Sequence, residues 1–239
     1  MTTLLVLFIL GFIGLCLRYL LKGEFEIDQL FILFLFPMAS IGIVYVQKWQ
    51  YNKDRDYAPD QYYTDYVTRL GDRISRTKKQ VYYNGERIGF YYRFYQARWQ
   101  RFIADMMGKS GQWYLNLTFS FVNDEQIEIK GVKQNNIFKH NQWDIYTSDV
   151  KAGEIHTDYS VKNATKLKES MLVEYNGRQY YYTSFGIGSK TEVYEGDTCI
   201  AKGKRLGDSV YHFHPTYETI ENEKLLFVAF IVFNYEFHQ

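Results

Sequence analysis

The sequence predicts a mostly β protein: a closed antiparallel barrel of roughly a dozen strands around a buried hydrophobic C-terminal helix, preceded by a two-helix transmembrane hairpin. Three observations predict it. Residues 225–233 are apolar without exception, the stretch 80–214 alternates apolar and polar residues with turn dipeptides between the runs, and two long apolar runs lie before residue 50.

The C-terminal run organises the rest. A helix apolar all round has no face to turn to water and must be covered on every side. At about half of the roughly 20 residues that cross a bilayer, the run is a core element and not a span. Burying its nine side chains is worth on the order of 15–25 kcal/mol before entropy is counted. Asn222, flanked by Glu221 and Glu223, is placed to start the helix, because a short polar side chain accepts from free N–H groups and acids suit the positive end of the dipole.

Taken in order, residues 4–21 are apolar except Arg18, and 30–46 are apolar but for Pro37 and Ser40. As helices these spans measure about 27 and 25 Å, close to a hydrocarbon core of about 30 Å when Arg18 and Lys48 reach the headgroups. Tyr19, Tyr45 and Trp49 sit where interfacial aromatics belong. No Lys or Arg precedes the first run and no small-residue cleavage site follows it, so it reads as an anchor and not a cleaved leader. Residues 1–50 thus form a hairpin. Lys48, Lys53 and Arg55, with the basic residues beyond, weigh against Arg18 and Lys22 at the connection, and the positive-inside rule then places both termini and the large domain in the cytoplasm of a two-span cell-membrane protein.

Residues 51–79 form a linker in which Tyr63, Tyr66, Val67, Leu70 and Ile74 recur at helical spacing over 60–79, while Arg69, Arg73 and Arg76 point elsewhere. This predicts a basic amphipathic helix, either lying on the bilayer with Arg69, Arg73, Arg76, Lys78 and Lys79 near anionic headgroups or packed as a linker with a solvated basic face.

The barrel domain is expected over 80–239. Trp113, Leu115, Leu117, Phe119 and Phe121 share one face and Tyr114, Asn116, Thr118 and Ser120 the other, the period of a strand. Asn84-Gly85 and Asn176-Gly177 offer the positive φ angles of two-residue hairpins, and Glu195-Gly196-Asp197 does similar work. Further strands fall at 87–95, 143–147, 153–159, 167–175, 178–185, 191–194, 198–202 and 210–214, and one more helix at 97–107. Twenty-three Tyr and eighteen Phe suit this assignment, since flat, stiff rings pack well on a pleated surface. An open sheet of that size leaves edges and a bare apolar face; closure removes the first and an internal helix fills the second.

Composition excludes some function classes. A net charge of +1 offers no global field for nucleic acid, and two cysteines far apart, Cys16 and Cys199, make no disulfide framework. His212 and His214 share a strand face, yet zinc needs a third ligand that no nearby spacing supplies. The run 186–191 lacks the third Gly of a dinucleotide loop and the Gly-Lys step of a P-loop, and mid-strand Cys199 has no His partner in reach. Asn116-Leu117-Thr118 and Asn163-Ala164-Thr165 match the glycosylation triplet by chance. Lys202, Lys204 and Arg205 form a basic turn that Lys190 joins across the hairpin, either solvated or in contact with anionic headgroups. No cofactor is called for.

The hairpin Tyr194-Glu195-Gly196-Asp197-Thr198-Cys199-Ile200-Ala201-Lys202-Gly203-Lys204, the strand at 209–214 and the terminal helix resemble the ending of the tubby C-terminal fold shared with phospholipid scramblases and LURP-one-related proteins, in its bacterial membrane-anchored form. The resemblance implies membrane association and, in some members, lipid binding. It leads to a non-enzymatic binding or scaffold module at the cytoplasmic membrane face, with the bilayer, anionic headgroups and an unidentified protein as partners. The alternatives are a lipid-moving protein, which needs a calcium loop that Asn123-Asp124-Glu125 does not space, and an enzyme whose site assembles only in three dimensions.

Overall fold

The computed structural model of the chain describes residues 2–60, 62–107, 111–122, 124–133, 141–158, 168–185, 190–216 and 222–237. Two long helices open it, α1 (Thr2–Lys22) and α2 (Ile27–Arg55). They form an antiparallel hairpin in which Phe8 meets Phe34 with ring centroids 5.9 Å apart, and Arg18 pairs with Glu26 beside the connection. Both are long and apolar enough to cross a membrane, and only 6% of the residues in each apolar stretch are buried by protein. Pro37 lies within α2 without ending it.

Twelve strands then close a barrel: β1 (Tyr66–Arg69), β2 (Lys79–Tyr83), β3 (Glu86–Phe94), β4 (Asn116–Phe121), β5 (Gln126–Lys133), β6 (Gln142–Thr147), β7 (Val150–Thr157), β8 (Lys168–Tyr175), β9 (Arg178–Phe185), β10 (Lys190–Glu195), β11 (Thr198–Arg205) and β12 (Val210–Pro215). Each pairs antiparallel with its neighbour in sequence, and β1 closes the ring on β12 with Val67 opposite His212. The tight turns follow the dipeptides: Asn84 (φ 49°) and Gly85 (φ 79°) join β2 to β3, and Asn176 (φ 49°) and Gly177 (φ 77°) join β8 to β9. Ser148 and Asp149 do the same between β6 and β7 without a glycine (φ 51° and 64°).

Helix α3 (Arg98–Met106) interrupts the connection from β3 to β4, and α4 (Glu223–Phe237) fills the barrel. Every α4 residue from 225 to 236 is buried. Inward-pointing rings grip it: Tyr66 stacks on Phe227 at 4.9 Å, Phe213 lies 5.2 Å from Phe230, and the Tyr182 hydroxyl donates to the Leu226 carbonyl at 2.9 Å. Gly203 on β11 faces the Phe230 ring so closely that a Cβ there would collide with it.

The fold class stands as the sequence predicts, with corrections at two places. The described residues of 60–79 hold no helix: β1 lies within them, 70–78 are irregular and β2 starts at Lys79. Five apolar residues at helical spacing were outweighed by pairing, since β1 bonds to β2 on one side and β12 on the other and without it the barrel has two open edges. The barrel therefore begins at 66 and not at 80, and the linker is shorter, because α2 runs on to Arg55. Asn222 does precede α4, but its backbone has φ 68° and its amide donates to the Tyr180 hydroxyl at 3.3 Å, so it does not adopt the extended geometry of a cap. Glu221 lies outside the described residues, as does the triplet at 163–165. In the other triplet Asn116 is buried, and its Oδ1 accepts from Gly131 N–H at 2.9 Å.

Candidate functional site

Both apolar helices stand on the same end of the barrel. The last turn of α2 reaches it through Asp54, which pairs with the Arg69 guanidinium and accepts from the N–H groups of Gly71 (3.1 Å) and Asp72 (2.7 Å). Gln50 Oε1 accepts from Arg69 Nη2 at 2.7 Å, and Lys53 pairs with Asp208 at 3.1 Å in the turn between β11 and β12. The start of α1 is fastened to α3: Thr2 N–H donates to Asp105 Oδ2 at 3.0 Å and the Thr3 hydroxyl to the Met106 carbonyl at 3.0 Å. The C-terminus of α4 lies at this end too, where Arg73 donates to the Asn234 carbonyl at 2.6 Å and the Tyr211 hydroxyl at 2.8 Å. A guanidinium on the last turn satisfies a carbonyl that has no helical partner and opposes the negative end of the dipole.

The structure divides the cations that the sequence proposes for lipid. Arg69, Arg73 and Lys79 are structural. Arg69 is buried in the joint with α2, Arg73 ties down α4, and Lys79 is fully buried with its Nζ 5.9 Å from the centre of the Tyr91 ring. Burial lowers the Lys79 ammonium below the usual lysine range, against the pull of Asp54 and Asp72. No helix projects these residues toward a bilayer. Arg76 and Lys78 are exposed, Lys78 lying 4.4 Å above the Phe90 ring.

Lys190, Lys202, Lys204 and Arg205 are all exposed and do come together. Register makes the patch: Lys190 is opposite Lys204 and Lys204 opposite His212, while Glu192 is opposite Lys202 and Lys202 opposite His214. Two cross-strand rows on the outer face thus surround a depression of about 340 Å³ floored by Gly203. The histidines are held on one side, His214 Nδ1–H donating to Asp65 at 2.6 Å and His212 Nε2–H to the Thr64 carbonyl at 2.9 Å. Glu192 accepts from the Tyr194 hydroxyl at 2.7 Å, which pushes that phenol up to about 12. The three lysines are left facing outward, a surface that attracts anions by charge. His212 and His214 were legible as sharing a face; their tie to residues 64 and 65 was not, because it depends on β1 lying beside β12.

Other candidates are accounted for. Among the described residues no three His, Cys, Asp or Glu side chains converge on a point that would hold a metal. Cys199 is half-buried and donates to the Ala201 carbonyl. Glu125 of the acidic stretch pairs with Lys224 at the start of α4; Asn123 and residues 186–189 lie outside the described residues.

A single closed meander wound on an apolar helix defines a class of protein, one whose interior is filled by its own chain and whose outer faces and ends are left for contact. The Tubby C-terminal like domain profile matches residues 66–238, and the chain belongs to that family. The match starts at β1, as the corrected barrel does. No curated protein and no solved structure gives a significant match.

Proposed function

We propose that this protein is a membrane-anchored, non-enzymatic binding module: α1 and α2 cross the bilayer as a hairpin, the barrel sits on the cytoplasmic side, and the lysine face of β10 to β12 meets anionic lipid headgroups. The observation that carries this reading is the common footing of the two helices. Thr2 at the start of α1 and Asp54 at the end of α2 are bonded to one end of the barrel, so a hairpin in the bilayer holds that end against the surface. Anionic headgroups within about 8 Å then feel each exposed lysine, worth roughly 1 kcal/mol apiece. Arg98 and Arg101 on α3 add positive charge to the side that already carries Lys48, Lys53 and Arg55, in keeping with a cytoplasmic placement. Membership of the tubby-like family, and an interior occupied by α4, favour binding over turnover.

Two experiments test the reading. In cells, with Cys16 and Cys199 replaced by Ser, a cysteine at position 60 is expected to resist an impermeant thiol reagent and one at position 24 to react; the reverse pattern overturns the topology. The fragment 48–239, which retains Gln50 and Asp54 for Arg69, is expected to float with anionic but not neutral vesicles, and Lys190, Lys202 and Lys204 changed together to Gln should reduce recovery at least tenfold. Equal recovery on both vesicle types removes lipid as the ligand.

A further inference from the structure

Helix α3 is not explained by the barrel. Its C-terminal end is bonded to Thr2 and Thr3, directly before the apolar run of α1 begins at Leu4. It therefore lies at the depth where α1 meets the membrane. Trp99 and Phe102, three residues apart and so on one face, are 57% and 51% exposed, and Met107 just beyond is 41% exposed. Arg98 and Arg101 lie on the side turned to a groove of about 690 Å³ between α3, the last turns of α2 and residues 72–75. Lys48 and Arg55 line the same groove.

The charges of the groove do not cancel. Asp105 is engaged by Thr2, Asp72 Oδ1 accepts from the N–H groups of Ile74 (3.0 Å) and Ser75 (3.1 Å), and Arg55 pairs with Asp56 at 2.6 Å. Among the described residues no ion pair engages Lys48, Arg98 or Arg101. Phe102 lines the groove beside Arg98 and Arg101 and so stands at the border between the arginines and the exposed Trp99; a helix with such a border settles in the headgroup region, its apolar side about 5–10 Å into the acyl boundary.

We propose that α3 is an interfacial helix and that the groove between α2 and α3 seats the phosphate of an anionic phospholipid, with Arg98, Arg101 and Lys48 on the phosphate oxygens and Trp99 and Phe102 among the upper acyl carbons. The proposal rests on α1 and α2 being membrane spans. The bilayer is the occupant because the exposed rings of α3 continue the apolar surface of the hairpin on which it stands, and because the groove is lined by four cations, Lys48, Arg55, Arg98 and Arg101, against two carboxylates, Asp72 and Asp105.

The test uses the full-length chain with Cys16 and Cys199 replaced by Ser, reconstituted in vesicles of phosphatidylcholine with or without phosphatidylglycerol. Spin labels are placed singly at Leu35→Cys in the hairpin, Phe102→Cys on α3 and Asp197→Cys in the hairpin between β10 and β11. The labels at 35 and 102 are expected to collide with oxygen more often than with a water-soluble nickel chelate, and the label at 197 the reverse. A label at 102 as open to the chelate as that at 197 overturns the interfacial helix. A chelate-accessible label at 35 instead overturns the spans on which it stands, so the two failures are distinct. With lipid-borne labels, phosphatidylglycerol should be immobilised at least twofold more than phosphatidylcholine, and Arg98→Gln with Arg101→Gln should abolish the preference. No preference in the parent protein overturns the headgroup site.

Discussion

Two kinds of apolar helix coexist in this chain, and they are solved differently. In α4 every residue from 225 to 236 is buried by the chain itself, whereas on α1 and α2 side chains such as Leu21 and Tyr45 are 84% and 71% exposed. Composition alone does not separate them. What separates them is length and ending. At about 22 Å, α4 is too short for a bilayer, and its last turn carries Asn234 and Glu236, whose polar groups are bonded inside the barrel by Arg73 and Asn141. The last turns of α2 carry their polar residues onto the outside of the barrel, at Gln50 and Asp54. Being apolar rules out water, then, without saying whether protein or lipid replaces it.

The sharpest way to break this comparison is to place the same charge in both environments. Ala229→Asp buries a carboxylate with no partner, at a cost of several kcal/mol that rivals a domain's whole stability of about 5–15 kcal/mol, and is expected to unfold the barrel. Leu35→Asp, on an exposed face of α2, should leave barrel melting in detergent unchanged and instead lower membrane insertion by about 2.5–3.5 kcal/mol. Circular dichroism melts and a membrane-fraction assay read the two separately; an Ala229→Asp barrel that melts like the parent would show α4 to be peripheral.

The joint between the two regions comes next. Asp54→Ala leaves the buried Arg69 guanidinium with only the more distant, exposed Asp208 carboxylate at 3.6 Å, and a loss of about 3 kcal/mol is expected in denaturant unfolding. A fragment starting at residue 60 should show a deficit of similar size relative to one starting at 48. Gly203→Ala puts a methyl into the Phe230 ring, and overpacking of this kind costs about 1–3 kcal/mol.

The smallest effect is expected at Lys79. Its proton is held less tightly in the folded state than in the unfolded chain, so the unfolded state binds more protons and stability should rise with pH as the window between the folded value and the ordinary lysine value is entered from below. Tyr91 and Tyr235, raised by burial, act in the opposite sense only above the usual phenol range of about 10, so measurements below it keep them out of the slope. Lys79→Met should flatten that slope and leave the protein unchanged or about 1 kcal/mol more stable. A steeper slope in the variant would mean that another group carries it.

Much of this molecule was legible from residue order. Nine all-apolar residues demanded a container; alternation, aromatic content and the Asn-Gly turns supplied one; two runs of spanning length stood ahead of it. The patch of Lys190, Lys202, Lys204 and Arg205 was legible for the same reason, because a tight hairpin and the next strand keep near neighbours together. The failures fall where contact is remote. The spacing of Tyr66, Val67 and Leu70 fits a helix, and only pairing with β12, more than 140 residues away, makes it a strand. Arg69, Arg73 and Lys79 read as solvent cations because nothing beside them in sequence signals Asp54, the end of α4 or the barrel interior.

The stretch 97–107 was legible as a helix, but what its Arg98, Trp99, Arg101 and Phe102 face depended on where α1 begins in space. By itself, then, the sequence determined which segments avoid water and with what period, since those are properties of side chains and backbone over a few residues. Only the tertiary structure decided which cations are free to meet a ligand, because closing the barrel and standing the hairpin on one end of it brings far-apart charges together, and a charge that has found a partner inside the fold is no longer available outside it.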